Sequence, residues 1–125
     1  MNQELIQTAL EMREKARAPF SNYKVGAAIE TESGTIIGGC NVESSSYSLT
    51  CCAERTALFR AIAEGHTLFK ALAIASKNGG MPCGACRQVI WDYCKDIPIY
   101  VCDKMDLSKQ HLRPNCYRTH LMNPI

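Results

Sequence analysis

Apolar residues near the start of the chain fall on a helical period. Leu5, Ile6, Ala9, Leu10 and Ala16 share one face, which predicts a helix over residues 2–18. Asn2 can cap its start, and Pro19 forces it to stop by about Ala18. Two short strands are predicted next, at 23–30 and 35–42, because Thr31-Glu32-Ser33-Gly34 between them is polar and ends on a glycine that suits a hairpin turn. Ser44-Ser45-Ser46 reads as a loop. Helical spacing returns with Ala53, Ala57, Leu58, Ala61 and Ile62, predicting a helix from about Cys51 to Glu64, with Thr50 as its cap and Gly65 as its stop. Ala71 to Ala75 is an unbroken apolar run, the pattern of a strand covered on both faces, and Asn78-Gly79-Gly80 ends it. A third helix, from near Cys83 to near Tyr93, presents Val89 and Ile90 to the core, and a strand follows at 97–102. The order α-β-β-α-β-α-β implies an α/β fold of three layers, a mixed central sheet flanked by helices. Without internal repeats or a linker, residues 1–125 read as a single domain.

Composition narrows the functional classes. With 46% apolar and 21% charged residues, a chain of 125 residues can build a core and is neither disordered nor fibrous. Fourteen basic against twelve acidic side chains leave a net charge of +2, and no basic run interleaves with aromatics, so nucleic acid is not an expected partner. A small, nearly neutral ligand fits better. No run is long enough to span a membrane, and the charges between Glu4 and Arg17 exclude the apolar core of a secretory signal. The expected address is cytoplasmic, where the eight cysteines would be thiols rather than a disulfide framework. Cys40, Cys51, Cys94, Cys102 and Cys116 are then expected to be small buried hydrophobes.

The remaining three cysteines carry the chemistry. Cys52-Ala53-Glu54 and Pro82-Cys83-Gly84-Ala85-Cys86 are each weak signals, but together they match a zinc deaminase signature in which a ligand is followed by x-Glu and then by Pro-Cys-x-x-Cys. Three protein ligands, Cys52, Cys83 and Cys86, leave zinc one position for water, whereas a structural site is closed by four. Cys83 and Cys86 lie three apart at a helix start and can face one ion; Cys52 lies at another helix start, where backbone N–H groups favour thiolates. Glu54 is assigned as general acid and base, taking a proton from water and passing it to a ring nitrogen and a leaving amine. Three thiolates on Zn2+ sum to −1, and Arg55, three residues after Cys52, is the candidate to compensate; Arg87 beside Cys86 is the weaker one. Cys51 could replace Cys52, although the register of Cys-Ala-Glu favours Cys52. His66, His111 and His120 read as surface residues.

Beyond these motifs the chain resembles the small homotetrameric cytidine deaminases over nearly its whole length. Ala18-Pro19-Phe20-Ser21-Asn22-Tyr23-Lys24-Val25-Gly26-Ala27-Ala28 looks like that family's A-P-[YF]-S-x-[FY]-x-V-G-A-A stretch, Asn41-Val42-Glu43 like its N-[IV]-E, and Cys52 to Ala57 like its C-A-E-R-x-A. The resemblance implies the cytidine deaminase-like fold, a zinc cofactor and hydrolytic deamination of cytidine and deoxycytidine, with a nucleoside as partner. It also implies roles for single residues. Asn41 and Glu43 would hold the ribose 3′-hydroxyl, a donor and acceptor pair that rejects an analogue lacking it. Tyr23 would pack against the pyrimidine, while the Ala53 backbone N–H and the Cys83 carbonyl would meet the ring edge. Tyr47 would reach a neighbouring subunit's site, so that sites are shared across a homotetramer. Where relatives carry Leu-Leu-Pro-x-x-Phe, this chain has Leu112-Arg113-Pro114-Asn115-Cys116-Tyr117, and Tyr117 can still stack on a base. Two rival readings share the motif: deamination of a cytosine-containing antibiotic such as blasticidin S, and a non-catalytic zinc domain closed by Cys51.

Overall fold

In the computed structural model, which describes residues 2–79, 84–103 and 116–120, the chain runs α1 (Gln3–Glu14), β1 (Gly26–Thr31), β2 (Ile36–Cys40), a 3-10 turn (Tyr47–Leu49), α2 (Ala53–Ala63), β3 (Phe69–Ala75), α3 (Gly84–Cys94), β4 (Pro98–Cys102) and β5 (Cys116–His120). The strands form one sheet in the order β2-β1-β3-β4-β5, antiparallel except for the β3–β4 pair. Helix α3 is the crossover that the parallel pair requires.

Alternation in the strands builds two cores. Ala28, Ala71, Ala73 and Ala75 pack with Leu5, Ile6 and Ala9 of α1 on one face. Ala27, Ile29, Leu72 and Ile74 pack on the other face with Ala57, Leu58 and Ala61 of α2 and Cys86 and Ile90 of α3. Central β3 is therefore buried on both sides, as its unbroken apolar run predicts, and the three layers and mixed sheet expected from the element order are present. Small residues let the layers approach closely. A Cβ on Gly39 would lie 2.3 Å from the Ala57 backbone nitrogen, so α2 can rest on β2 only because that side chain is missing.

Element boundaries shift for local reasons. Asn2 caps α1 by accepting from the backbone of Glu4 (2.9 Å) and Leu5 (3.3 Å). The helix ends at Glu14, before the limit set by Pro19, because the chain turns to pair with the sheet margin: Arg17 N–H donates to Asn41 O (3.0 Å) and Glu43 N–H to Arg17 O (2.9 Å). Tyr23 and Val25 lie outside the ladder of β1, their backbone groups being taken by the Asn41 side chain at 2.9 Å each. Helix α2 starts at Ala53 with Cys52, not Thr50, at its N-cap. It ends as expected at Gly65, whose φ of 98° closes a Schellman motif with Gly65 N–H on Ile62 O (2.9 Å) and His66 N–H on Ala61 O (3.1 Å).

Strand β5 and the disulfide are departures from the expectation. Cys116-Tyr117-Arg118-Thr119-His120 is short and polar, and it becomes a strand by pairing with β4. Cys102 and Cys116 face each other in that register with their Cα atoms 4.1 Å apart and are joined by a disulfide, so neither is the isolated buried thiol that composition suggests. Cys94 does behave as a buried hydrophobe, and burial pushes its thiol up to about 12.

Candidate active site

A cavity of about 300 Å3 opens where the start of α2, the end of β3 and the segment before β1 meet. Its size and partly apolar lining suit a small organic ligand. Of the residues singled out in the sequence, Tyr23, Asn41, Glu43, Tyr47, Ala53 and Glu54 line it, and Cys52 does so beside them.

The floor is built by helix starts. Cys52 occupies the N-cap of α2 in extended conformation, and its side chain makes no capping hydrogen bond. Cys86, in the first turn of α3, is wholly buried. Glu54, in the first turn of α2, is also buried, at 5% exposure, and accepts a hydrogen bond from the Cys86 side chain. Burial pushes the Glu54 carboxyl above its ordinary range, and the neighbouring Cys52 adds to that; the bonds from its own backbone N–H and from Cys86, together with Arg55, pull the other way. Arg55 Nη2 lies 3.5 Å from Cys52 Sγ and 3.2 Å from the Thr50 carbonyl, and Arg55 also bonds the Cys86 side chain. The bond to Cys52 holds the guanidinium further above its already high ordinary value, so it remains a cation.

Cys51 takes a different direction. Its backbone pairs with Val42, and its sulfur lies 3.5 Å from the Thr56 hydroxyl, which donates to it. Cys52, not Cys51, therefore shares Arg55 with Cys86. Among the described residues no three potential ligands form a metal-binding group; the third predicted ligand, Cys83, lies outside them. The donor set nevertheless fits zinc: two soft sulfurs converge on one guanidinium and one buried carboxyl, and a cationic neighbour offsets the charge that thiolates bring.

The rim carries the polar residues. Asn41, 7% exposed, is committed to the backbone of Tyr23 and Val25. The Glu43 carboxylate accepts from Phe20 N–H and Ser21 N–H at 3.0 Å each and from the Ser21 hydroxyl, and these bonds, chiefly those from Ser21, hold it below the usual carboxylate range. The Tyr23 hydroxyl donates to Asn78 Oδ1. Tyr47, on the 3-10 turn, is 90% exposed. Tyr117 falls on β5 opposite Val101. Sequence reasoning missed Ser21, Ile74 and Ser76, which also line the cavity. Ser76 had a signal: it is the first polar residue after the apolar run of β3, at the carboxyl end of a central strand where α/β sheets place their ligands.

A family model described as the cytidine and deoxycytidylate deaminase zinc-binding region matches residues 1–101. The chain is 49% identical over 102 residues to the cytidine deaminase of Sporosarcina psychrophila, covering 79% of this chain and 75% of that protein. It is 41% identical to the cytidine deaminase of Halalkalibacterium halodurans, covering 97% of each. The crystal structure of cytidine deaminase from Burkholderia pseudomallei superposes with a TM-score of 0.85 at 40% identity, covering 100% of this chain and 97% of that one.

Proposed function

Because this chain belongs to the cytidine and deoxycytidylate deaminase family, we propose that it hydrolyses cytidine and deoxycytidine to uridine and deoxyuridine with release of ammonia. The observation that carries the reading is the buried Glu54 set between Cys52 and Cys86 at the floor of a nucleoside-sized cavity.

Cys52, Cys83 and Cys86 would hold zinc, whose Lewis acidity makes water a competent nucleophile near neutral pH. Glu54 receives the proton that water loses on attack at C4 of the pyrimidine. It passes that proton to ring N3, then takes the proton of the hydroxyl left on C4 and gives it to the exocyclic amine, which departs as ammonia as C4 becomes a carbonyl. Burial suits Glu54 to this exchange, since its raised proton affinity makes the carboxyl a better acceptor of the proton that water gives up. Arg55 keeps its cationic head on the Cys52 sulfur and limits the negative charge gathered there. The Ala53 backbone N–H, at the start of α2, would meet the ring edge, and the Tyr23 ring, which lines the cavity, would wall the base. Glu43 would accept from the sugar 3′-hydroxyl, and Asn41, whose Nδ2 has a second hydrogen beyond the one given to the Tyr23 carbonyl, would donate to it.

The proposal includes one domain over 1–125, a homotetramer with shared sites, a cytoplasmic address and a role in pyrimidine salvage. Assembly is supported by large apolar side chains left exposed: Tyr47, which lines the cavity, is 90% exposed, and Leu49 (72%) and Phe20 (64%) adjoin in sequence the lining residues Thr50 and Ser21. Among the described residues no helix is long and apolar enough to cross a membrane. The test is ammonia release from cytidine by zinc-loaded protein, with Glu54→Gln at equal zinc content. Release by the wild type and its loss by at least a thousandfold in the variant are expected; a variant that keeps its activity, or an inert wild type, overturns the reading.

A further inference from the structure

The wall of the cavity from Phe20 to Val25 is a strap hung from two side chains. Asn41 holds its far end through Tyr23 O and Val25 N–H, at 2.9 Å each. Glu43 holds the near end through Phe20 N–H, Ser21 N–H and the Ser21 hydroxyl. Between them the chain reverses at Asn22, whose φ of 56° is one that asparagine tolerates. The Tyr23 N–H then donates back to Ser21 Oγ at 3.0 Å.

These contacts leave one position for the Ser21 hydroxyl proton. An amide N–H can only donate and an ionised carboxylate can only accept, so Ser21 Oγ receives from Tyr23 and gives to Glu43 Oε2. A hydroxyl that accepts one hydrogen bond is polarised to donate a stronger one. A carboxylate has about four acceptor sites, and the described contacts occupy three of those on Glu43, leaving it room for one more donor. We infer that Ser21 is a positioning residue: its hydroxyl sets the Glu43 carboxylate to accept one substrate hydroxyl and couples that setting, through the Tyr23 amide, to the aromatic wall. The inference rests on the reading of Glu43 as the acceptor for the sugar 3′-hydroxyl. Because the Ser21 bonds also hold Glu43 below the usual carboxylate range, it stays an acceptor through the neutral range.

The experiment is steady-state kinetics on cytidine and 3′-deoxycytidine for the wild type, Ser21→Ala, Ser21→Thr and Glu43→Gln at matched zinc content. Ser21→Ala is expected to lower kcat/KM for cytidine about tenfold, through KM with kcat little changed, and to reduce discrimination against 3′-deoxycytidine by the same factor. Ser21→Thr, which keeps the hydroxyl, is expected to restore both. If Glu43→Gln collapses the discrimination while Ser21→Ala leaves it intact, or weakens both substrates equally, the inference about Ser21 is overturned. Should Glu43→Gln itself leave discrimination unchanged, the sugar-reading role of Glu43 fails, and the role of Ser21 falls with it.

Discussion

Cys52 and Glu54 are two residues apart, yet the structure gives one a sulfur at a helix cap and the other a carboxyl with 5% exposure. Arg55 connects them to the rest of the site, because its guanidinium joins the sulfurs of Cys52 and Cys86 and the Thr50 carbonyl. Arg55→Ala removes those donors and leaves the sulfur charge less compensated, so kcat on cytidine and zinc retention against a chelator should each fall about tenfold to a hundredfold. Zinc analysis after dialysis, with kinetics on the same samples, checks this; unchanged retention would return Arg55 to an ordinary structural arginine. The grouping of Cys52, Glu54 and Arg55 was legible in the sequence because it depends on spacing along one helix start. The commitment of Asn41 to the backbone of Tyr23 and Val25 was not, since that contact spans 16 to 18 positions.

At the scale of elements, periodicity located α1, α2, α3 and β1 to β4, because each has enough apolar positions to declare a buried face. Strand β5 had no such face and depends on β4 for its backbone partners. The Cys102–Cys116 disulfide links the same two strands across a sequence separation of 14. Closing a loop of that size removes unfolded-state freedom worth about 3 kcal/mol in the chain-entropy account. Replacing both cysteines by alanine should therefore lower Tm by several degrees under non-reducing conditions and abolish the effect of added reductant. Calorimetry of wild type and variant, each with and without reductant, decides it; coincident melts would mean that the bond contributes no stability. In sequence the two cysteines were indistinguishable from Cys94, because a thiol's fate depends on what faces it across a sheet.

For the whole molecule, the proposed assembly would cover the exposed Tyr47, which lines the cavity, and the exposed Leu49 and Phe20 next in sequence to residues that line it. Specific activity should then fall on dilution as the assembly dissociates, and light scattering should record the loss of mass over the same concentrations. Constant activity across a change in mass would show that each chain carries a complete site. The sequence by itself determined the class of fold and the candidate reactive groups, because core periodicity and motif spacing are local properties of helices and strands. Tertiary structure decided which groups meet. It brought Cys86 of α3 against Glu54 and Arg55 of α2, joined Cys102 to Cys116, and hung the Phe20–Val25 strap on Asn41 and Glu43. Those contacts arise from the packing of layers and the register of strands, in which residues distant along the chain become neighbours.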